Sequence, residues 1–583
     1  MGIKEAILEK CDMVQAKKSR RDRKENGVFY TPPEVVEWMT EKLLSDIEPA
    51  RNPYIRILDP ACGSGLFLIK AFEVLKDRFE RDYLSILKNN AELAGKLQMD
   101  DIGSFIVENN LWGADIDQEA LNTAGEILIK LAGKVCRPNL VCCDSLVCGT
   151  GREVESGFWN DCFDYIIGNP PYIGHKQVTK EYKRVLQKLY NGIYRDKSDI
   201  SYCFLKKGAD LLAEGGSLSF IVSRYFMEGP SASGLRKYLA DHCTVTELVD
   251  FYGHSVFREA GVAACIITLV NEKKGDNTLV LKYKQDKAVG AENLFAPSNY
   301  ESFEITSTML KEEGWRLLSN DKNEVFSRVE ERCGSLALGE VSESYQGIIT
   351  GCDRAFILST ADIGKHKLEE LLLKPWIKNS NVHKYSIDKA ERVLIYADFI
   401  DSEENYPAAI RHIGEYREKL LQRRECKNGV RKWYELQWGR TNRIFDTPKI
   451  VYPYKSHESR FAVDREGYYC SADVYSLKLK GKYEGAMSLE YIAAVLNSRL
   501  FEFYFKCYAK KISGNLYDYY PNTVLKMKIP LPGPDSAIPA MANAIAQCKS
   551  EKEKKHLADK IDREIYMLYG LNEKQIRLVE DNI

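Results

Sequence analysis

The sequence predicts an α/β protein in which a doubly wound, mostly parallel sheet is followed by an α+β domain. Between residues 55 and 284, short apolar segments alternate with helical patterns, which is typical of a parallel sheet covered by helices on both faces. After about Asp286 this alternation stops. From Trp315 to Pro532, short strands, helices and aromatic residues follow one another without a βα rhythm. Two architectures are therefore expected in one chain.

The predicted strands of the first region are short and apolar. In chain order they are IRILD, LWGADI, NLVCCD, FDYIIGN, GSLSFIV, VTELVDF and VAACIITLV. Helices are predicted over 65–76, 118–131 and 202–212, with a polar helical insertion over 78–110. The last two strands follow one another through a loop, which predicts a hairpin at one edge of the sheet.

The later part of the chain ends in a helical tail. The segment LPGPDSAIP is typical of a linker, and residues 539–583 combine helical periodicity with many charges. We therefore predict a basic arm over 1–26, a first domain over 27–300, a second domain over 301–530 and a tail over 531–583.

The composition limits the class of protein. The chain has 583 residues and a formal net charge of −1, so any nucleic-acid surface has to be a local patch. No segment reaches the roughly 18 apolar residues of a membrane span, and the N-terminus has no signal-peptide pattern. The 16 cysteines form no C-x-x-C pair. We therefore predict buried thiols, no metal site and a cytoplasmic location.

The segment ILDPACGSGLFLIKA predicts a glycine turn between a strand and a helix. The strand ends at Asp59, and the helix opens at about Gly65. Glycines at this place let a ligand approach the backbone, and the helix N-terminus offers N–H groups. The third glycine of the dinucleotide fingerprint is absent, because Leu66 and Phe67 follow, so a phosphate-binding turn is not favoured.

Acidic side chains follow three successive strands of the predicted sheet. Asp59, Asp115 and Asp144 each stand where an apolar strand ends. The carboxyl ends of parallel strands meet at the crevice where such folds bind ligands, and an acid after the second strand suits ribose hydroxyls. Asp117 directly precedes a helix and is better placed as its N-cap.

The fourth strand ends in Asn169, Pro170, Pro171 and Tyr172, on the same edge as the three acids. The two prolines exclude a helix or a continuing strand and predict a rigid, extended backbone. The Asn169 amide oxygen and the Pro170 carbonyl can both accept hydrogen bonds from one planar amino group. Tyr172 can stack on the ring that carries this group. A structural proline turn with a packed tyrosine is the alternative.

Five segments in this order resemble the N6-adenine DNA methyltransferases of the gamma arrangement: GVFYTPPEVVEWM, LDPACGSGLFL, GADID, CCDSL and GNPPY. Later segments, among them YQGIITGCDRAFIL, RKWYELQW, PKIVYPYKS and LNSRLFEFYFK, resemble the target-recognition domain of restriction-modification enzymes. The resemblance implies a class I methyltransferase fold, S-adenosyl-L-methionine as methyl donor and S-adenosyl-L-homocysteine as product. It also implies a site-specific enzyme acting on adenine N6 in double-stranded DNA.

The resemblance assigns roles to single residues. Asn169 and Pro170 would hold the target amino group, with Pro171 in the same rigid turn, and Tyr172 and Phe257 would cover the two faces of the adenine. Holding both amino hydrogens localises the nitrogen lone pair and aims it at the sulfonium methyl. The implied cofactor contacts are Tyr30, Thr31, Pro32, Asp59, Ala61, Cys62, Gly63, Gly65, Asp115, Ile116, Asp144, Ser145, Leu146 and Asn169.

Positive charge is concentrated in the segment 411–443, which holds ten Lys or Arg against four acids. This segment, the arm AKKSRRDRK and the segment KKISGNLYDYYPN are the candidate DNA surfaces, although the first two can instead be solvated helix faces. The residues predicted to contact DNA are Lys176, Arg224, Tyr345, Gln346, Arg423, Arg424, Arg431, Lys432, Trp433, Tyr434, Gln437, Trp438, Arg440, Lys455, Lys510 and Lys511.

Other interpretations stay open at this point. Asn-Pro-Pro-Tyr also occurs in enzymes that methylate the glutamine of release factors and in some RNA methylases, which are usually shorter. A binding subunit with an inactive methylase half is a second possibility. A fusion with a nuclease is a third, because Asp535, Glu553 and Lys555 formally match a nuclease pattern.

The resemblance favours a solitary methylase with a short, asymmetric, adenine-rich site over the methylase of a restriction-modification pair. A fused recognition domain makes a monomer sufficient, so no obligatory protein partner and no membrane are expected.

Overall fold

The computed structural model divides the chain into two compact units, Met1–Ser319 and Asn320–Ile583. It describes residues 31–148, 158–159, 162–257, 263–273, 275–284, 294–333, 336–360, 363, 367–509, 511–513 and 516–583.

The first unit alternates strands and helices along most of its length. Its strands are β1 (Ile57–Asp59), β2 (Leu111–Asp115), β3 (Asn139–Cys142), β4 (Phe163–Gly168), β5 (Leu212–Ser223), β6 (Thr244–Asp250), β7 (Ala264–Val270), β8 (Asn277–Tyr283), β9 (Tyr300–Thr306), β10 (Leu310–Lys311) and β11 (Gly314–Trp315). Its helices are α1 (Pro33–Leu43), α2 (Leu66–Asn89), α3 (Ile102–Asn109), α4 (Gln118–Ala132), α5 (Lys180–Leu189), α6 (Ser201–Leu211), α7 (Tyr225–Glu228) and α8 (Ser233–His242).

One sheet organises this unit. In the described part of the chain its strand order is β3-β2-β1-β4-β5-β7-β6-β8-β9. β1 pairs in parallel with β2 and β4, so that Ile57 is aligned with both Leu111 and Tyr165. β3 and β5 continue the parallel pairing on either side. The carboxyl ends of β1 to β4 therefore meet along one edge, as the sequence predicts.

The predicted hairpin is present, but its predicted position at a sheet edge is wrong. β6 and β7 pair antiparallel, with β7 lying between β5 and β6. β8 then pairs in parallel with β6, and β9 pairs antiparallel with β8. The segment NTLVLKY of β8 alternates buried and more exposed residues. Such a strand has one face against the core and extends the sheet beyond the hairpin.

Apolar periodicity explains why α2 runs past its predicted end at residue 76. Phe72, Leu75, Phe79 and Ile86 recur at helical spacing and are all buried, so the apolar face continues to Asn89. The centre of the sheet is equally apolar, because Leu58 of β1 and Phe163, Ile166 and Ile167 of β4 have no exposed surface.

The second unit is built from smaller sheets and helices. Its strands are β12 (Ser342–Gln346), β13 (Ile357–Ser359), β14 (Leu373–Ile377), β15 (Arg392–Ile395), β16 (Lys449–Pro453), β17 (Lys455–Ser456), β18 (Ala462–Asp464), β19 (Tyr469–Cys470), β20 (Val474–Leu479), β21 (Lys511–Ser513) and β22 (Leu516–Asp518). Its helices are α9 (Asn320–Cys333), α10 (Leu338–Val341), α11 (Asp353–Phe356), α12 (Pro407–Gly414), α13 (Arg417–Leu421), α14 (Arg424–Lys427), α15 (Leu489–Asn497), α16 (Arg499–Tyr508), α17 (Pro521–Val524), α18 (Ile538–Gln547), α19 (Glu551–Tyr569) and α20 (Glu573–Glu580).

Most strand pairs in this unit are antiparallel. The described strands form the orders β12-β20-β16-β18, β13-β15-β14-β19 and β17-β22-β21. Only β14 and β19 pair in parallel among these described strands. The helices predicted over 539–583 correspond to α18, α19 and α20. The chain therefore lacks a βα rhythm here, as expected.

Candidate active site

β1 leads into α2 through a turn that holds Gly63 and Gly65. Both have positive φ, 53° and 85°, which side chains rarely adopt. A Cβ at position 65 would lie 2.9 Å from the Cβ of Ala124, so α4 can close against the turn only if residue 65 is glycine. A Cβ at position 63 would meet no described atom within 4 Å. The turn therefore presents open backbone on which a ligand can rest.

The residues between Asp59 and Gly63 face the protein interior. The Cys62 side chain is buried beside Leu68 and Leu121, and its N–H donates to the Ala114 carbonyl at 3.0 Å. Burial, followed by the negative charge of Asp59, raises the pKa of the Cys62 thiol well above its ordinary value. Burial leaves little of the Cys62 side chain for the predicted contact with a cofactor, and that contact stays a prediction.

Asp59 is the most enclosed of the three acids, with 1% of its surface exposed. Its Oδ1 accepts a hydrogen bond from the Ala61 N–H at 3.0 Å. Burial raises the pKa of Asp59 to about 8 against the lowering effect of this bond, and the charge of Asp115 adds to the rise. A Cβ at Gly168 would lie 2.6 Å from Asp59 Oδ1. The end of β4 therefore lies directly against this carboxyl group.

Asp115 joins the end of β2 to the glycine turn. Its Oδ2 accepts from the Gly63 N–H at 2.8 Å, and its Oδ1 accepts from the Asp117 N–H at 2.9 Å. Asp117 caps α4 by accepting from the N–H groups of the helix's first turn, as predicted. Ile116 has 76% of its surface exposed, an unusual state for a large apolar side chain. It is placed to cover an apolar ligand surface beside Asp115.

Asp144 follows β3 and holds a third loop at the same edge. Its Oδ1 accepts from the Leu146 N–H at 3.0 Å, and its Oδ2 accepts from the Tyr182 hydroxyl at 2.6 Å. Burial, reinforced by this bond, raises the pKa of Tyr182 above its ordinary value. The Ser145 hydroxyl donates to the Pro60 carbonyl at 2.6 Å. The loops after β1 and β3 are thus tied together.

Asn169 is oriented by a residue from the first described segment of the chain. Its Nδ2 donates to the Thr31 Oγ1 at 2.9 Å, and the Thr31 side chain is buried. This bond fixes the orientation of the Asn169 amide, because the amide nitrogen is directed at Thr31. Pro32 is the N-cap of α1, so the helix anchors Thr31 beside the sheet edge. Tyr30 lies outside the described residues.

Two aromatic side chains lie next to Asn169. The Tyr172 hydroxyl donates to the Ile221 carbonyl at 3.0 Å, which fixes the ring against β5. The Phe257 ring meets it edge to face, with 5.7 Å between centroids. Pro170 is buried and Pro171 is partly buried. The structure therefore brings together the Asn169–Tyr172 turn and Phe257, which the sequence separates by 85 positions.

The arrangement fits the predicted cofactor. Asp59, Asp115 and Asp144 place three carboxyl groups at one edge of the sheet, and a Cβ at Gly63 would meet no described atom within 4 Å. Among the described residues no group of three potential ligands could hold a metal ion.

Four residues predicted to contact DNA are buried, and these predictions are corrected. Arg224 pairs with Asp250 at 3.0 Å and with Glu228 at 2.8 Å. Arg423 donates to the carbonyls of Thr350 and Trp433 at 3.2 and 2.8 Å. The others are Tyr434 and Lys511. A count of cations along the chain cannot show which of them the fold uses internally.

The remaining predicted contacts are partly or fully exposed. These are Lys176, Tyr345, Gln346, Arg424, Arg431, Lys432, Trp433, Gln437, Trp438, Arg440 and Lys455. Some are engaged within the second unit, since Arg431 pairs with Asp398 at 3.2 Å and Gln437 donates to Glu425 at 3.1 Å. Lys510 and the arm over 1–26 lie outside the described residues. The role of the exposed group in DNA binding stays a prediction.

Comparison with known proteins matches two parts of the chain. Residues 109–257 match the family of Eco57I restriction-modification methylases. Residues 374–530 match the TaqI-like C-terminal specificity domain. These two parts of the chain are thus similar to a methylase domain and to a specificity domain.

Relatives that are similar over nearly the full length of the chain agree with these two matches. The type II methyltransferase M.BstVI of Geobacillus stearothermophilus is 22% identical over 95% of this chain and 98% of its own. M.PaeR7I of Pseudomonas aeruginosa is 23% identical over 94% of this chain and 92% of its own. The type IIL restriction-modification enzyme MmeI, solved in complex with DNA, has a TM-score of 0.64 at 15% identity over 98% of this chain and 80% of its own. The predicted fold, enzyme class and methyl donor are confirmed.

Sequence reasoning missed Tyr182, which belongs to this site. It lies on α5, 38 positions after Asp144, and α5 begins with Thr179 as its N-cap. The helix and its cap can be recognised from the sequence. The partner of the hydroxyl cannot, because only the fold brings α5 over the loop that follows β3.

In the part of the chain that the structure describes, no helix has the length and apolar character needed to cross a bilayer.

Proposed function

We propose that the protein transfers a methyl group from S-adenosyl-L-methionine to N6 of an adenine flipped out of double-stranded DNA. The observation that carries this proposal is the constellation of Asn169, Thr31, Tyr172 and Phe257 beside the three acids. A fixed amide next to a rigid proline turn and two aromatic rings suits a planar base with an exocyclic amine.

The residues act by positioning. The cofactor supplies an electrophilic methyl group on a sulfonium. Asp115 and Ile116 would hold its ribose and cover its adenine, and Asp144 would accept from its adenine amino group. The Asn169 oxygen and the Pro170 carbonyl accept the two hydrogens of the target amino group, which localises its lone pair. Holding that nitrogen in line with the methyl group would lower the barrier to forming the N–CH3 bond as the S–CH3 bond breaks and S-adenosyl-L-homocysteine leaves. The methylated amine is acidic and would lose its proton to water, so no strong base is needed.

The target base has to leave the duplex to reach this edge of the sheet. Flipping costs a few kcal/mol, and each aromatic contact returns about 1–3 kcal/mol. Tyr172 and Phe257 touch edge to face. A base that stacks on both rings has to come between them, so we expect Phe257 to move aside when DNA binds.

The test uses labelled methyl transfer to duplex DNA, followed by digestion to nucleosides. The intact protein is expected to place label on N6-methyladenosine. Asn169→Ala is expected to lose about 100- to 1,000-fold in rate, the effect of removing one group that stabilises a transition state. Asn122→Ala removes an exposed helical amide of the same unit and is expected to leave the rate unchanged. Equal rates for the Asn169 variant and its parent, or label on polypeptide or RNA, would exclude the proposal.

We further propose that residues 301–530 select the DNA site and that the enzyme acts as a monomer without a nuclease of its own. The similarity of residues 374–530 to a specificity domain supports the first point. Glu553 and Lys555 lie on helix α19, which does not suit the strand-borne nuclease pattern.

Methylation within a restriction-modification system is the second candidate role, favoured by the similarity to RM.Eco57I, which is named a restriction enzyme and methyltransferase. Single-molecule sequencing of host DNA with and without the gene tests the modified site. If unmodified plasmids are lost only in a host that also carries the genes next to this one, a restriction-modification system is favoured.

A further inference from the structure

Arg440 has a backbone conformation that is uncommon for a residue with a side chain. Its φ is 61°, in the left-handed region. The Tyr396 hydroxyl donates to its carbonyl at 2.7 Å, and a Cβ at the preceding Gly439 would collide with Asp398. A bridge between Ile349 and Trp438 joins this loop to the one after β12. The loop is therefore held so that residue 440 keeps one orientation.

The Arg440 guanidinium is held by neutral oxygens. Its Nη2 donates to the Gln346 Oε1 at 2.9 Å, and its Nε donates to the Gly347 carbonyl at 3.4 Å. The Gln346 Nε2 donates in turn to the Ala472 carbonyl at 3.3 Å. Among the described residues no carboxylate pairs with Arg440. Burial lowers the pKa of this guanidinium from its ordinary value.

Two other arginines of the second unit pair with carboxylates. Arg431 pairs with Asp398 at 3.2 Å, and Arg465 pairs with Glu490. A partly buried cation without a carboxylate is costly unless another acceptor completes it. Arg440 therefore retains its charge for an acceptor from outside the chain.

The donors left on Arg440 have a defined geometry. A guanidinium has five N–H donors. The bonds to Gly347 and Gln346 use one donor on Nε and one on Nη2. The rest lie along the Nη1–Nη2 edge, and the side chain is partly exposed. This planar fork matches two adjacent acceptors, the N7 and O6 of guanine in the major groove.

The surroundings suit a nucleic acid. Trp438 and Tyr520 each have 39% of their surface exposed. The Tyr475 ring lies 6.0 Å from Tyr520, which lies 5.5 Å from Tyr454. The Lys455 ammonium lies 5.0 Å from the Tyr454 ring. Aromatic rings interleaved with cations are typical of surfaces that contact bases and phosphates.

We propose that Arg440, oriented by Gln346, reads the guanine of a G·C pair in the recognition site. This inference rests on the proposed function and deepens it by naming a residue that determines sequence specificity. Gln346 is a positioning residue, because both ends of its amide are engaged within the protein.

The test compares full-length variants on genomic DNA that lacks N6-methyladenine, with single-molecule sequencing to read each methylated motif. Arg440→Lys keeps the charge and removes the fork. It is expected to methylate sites with other pairs at one motif position, with discrimination there reduced roughly 10- to 100-fold. Gln346→Leu is expected to relax the same position. Lys482→Ala, which removes an exposed charge outside the candidate DNA surfaces, is expected to keep the motif.

The outcomes separate this inference from the proposed function. A motif unchanged in both Arg440→Lys and Gln346→Leu, or a parent motif without a fixed G·C pair, overturns the inference alone. A parent protein that methylates no adenine in DNA overturns both. Cofactor binding and thermal melting show whether each variant is folded. If Arg440→Lys is unfolded and methylates no motif, the result for Gln346→Leu decides.

Discussion

The two units use charged side chains in different ways. In the first unit, Asp115 and Asp144 stand at the ends of parallel strands and accept hydrogen bonds from backbone N–H groups. In the second unit, two buried or partly buried cations instead meet opposite charges. Lys449 and Asp464 form a pair that is fully buried, and Arg431 pairs with Asp398.

This difference separates charges that are available to a ligand from charges that stabilise the fold. A carboxylate fixed by N–H groups keeps its negative charge for a ligand, whereas one fixed by a lysine is neutralised. In the second unit, a cation held by neutral oxygens, such as Arg440, keeps the same capacity. Substitutions in each unit can therefore be sorted by whether they change stability or function.

The largest expected effect is on the stability of the second unit. Lys449→Met removes the partner of buried Asp464 and a bond to the Phe445 carbonyl. We expect the free energy of unfolding to fall by about 3 kcal/mol, measured by urea denaturation. Exposed Lys482→Met is the control and should change it by less than about 0.5 kcal/mol. An equally small change for Lys449→Met would contradict a structural role for this charge.

A slightly smaller effect is expected at the edge of the first unit. In Gly168→Ala the new Cβ would stand 2.6 Å from Asp59 Oδ1, so the strand end or the carboxyl has to shift. We expect kcat/KM for methyl transfer to fall about 100-fold through misplacement of Asn169. Gly125→Ala on α4 meets only an ordinary contact with Leu140 and should stay near the parent rate. Comparable rates for the two variants would disprove the close fit.

Parallel topology explains why the acids of the first unit could be placed from the sequence. Each of Asp59, Asp115 and Asp144 ends an apolar strand, and neighbouring parallel strands end at the same edge. The N-cap role of Asp117 followed from local spacing alone. These predictions needed only the order of elements and the period of the strands.

Long-range partners explain what the sequence could not provide. The Tyr182 bond to Asp144 and the ion pair of Arg224 with Asp250 join elements that no local pattern relates. In the second unit the short, mostly antiparallel strands give no common edge. The basic segment 411–443 therefore mixes exposed Arg424 with buried Arg423.

The next effect is a pH dependence of cofactor binding through Asp59. Burial raises its pKa to about 8, and a cationic ligand favours the charged form. Affinity should therefore rise up to about tenfold per pH unit between pH 6 and 7 and level off above about 8. Isothermal titration at several pH values measures this slope. Asp59→Asn should bind the cofactor more weakly at pH 8, and its affinity should not rise with pH in this range. If its affinity rises as steeply as that of the parent, another group carries the titrating proton.

The same shift predicts how stability changes without the cofactor. The folded state holds the Asp59 proton up to about pH 8, whereas the unfolded chain loses it near the ordinary value of 3.8. The contribution to stability is thus complete at low pH and is lost as pH rises to about 8. Asp59→Asn is expected to melt at a higher temperature than the parent at pH 8, and this difference should shrink toward pH 5.

The smallest effect is expected from the residue that sequence reasoning missed. Tyr182→Phe removes the hydroxyl bond to Asp144 and leaves the ring in place. The carboxyl still accepts from Leu146, so we expect KM for the cofactor to rise roughly 2- to 10-fold with kcat unchanged. Tyr238→Phe breaks a similar bond to Asp210 on the same unit and is the matched control. If both variants raise KM equally, Tyr182 acts on stability and not on the position of Asp144.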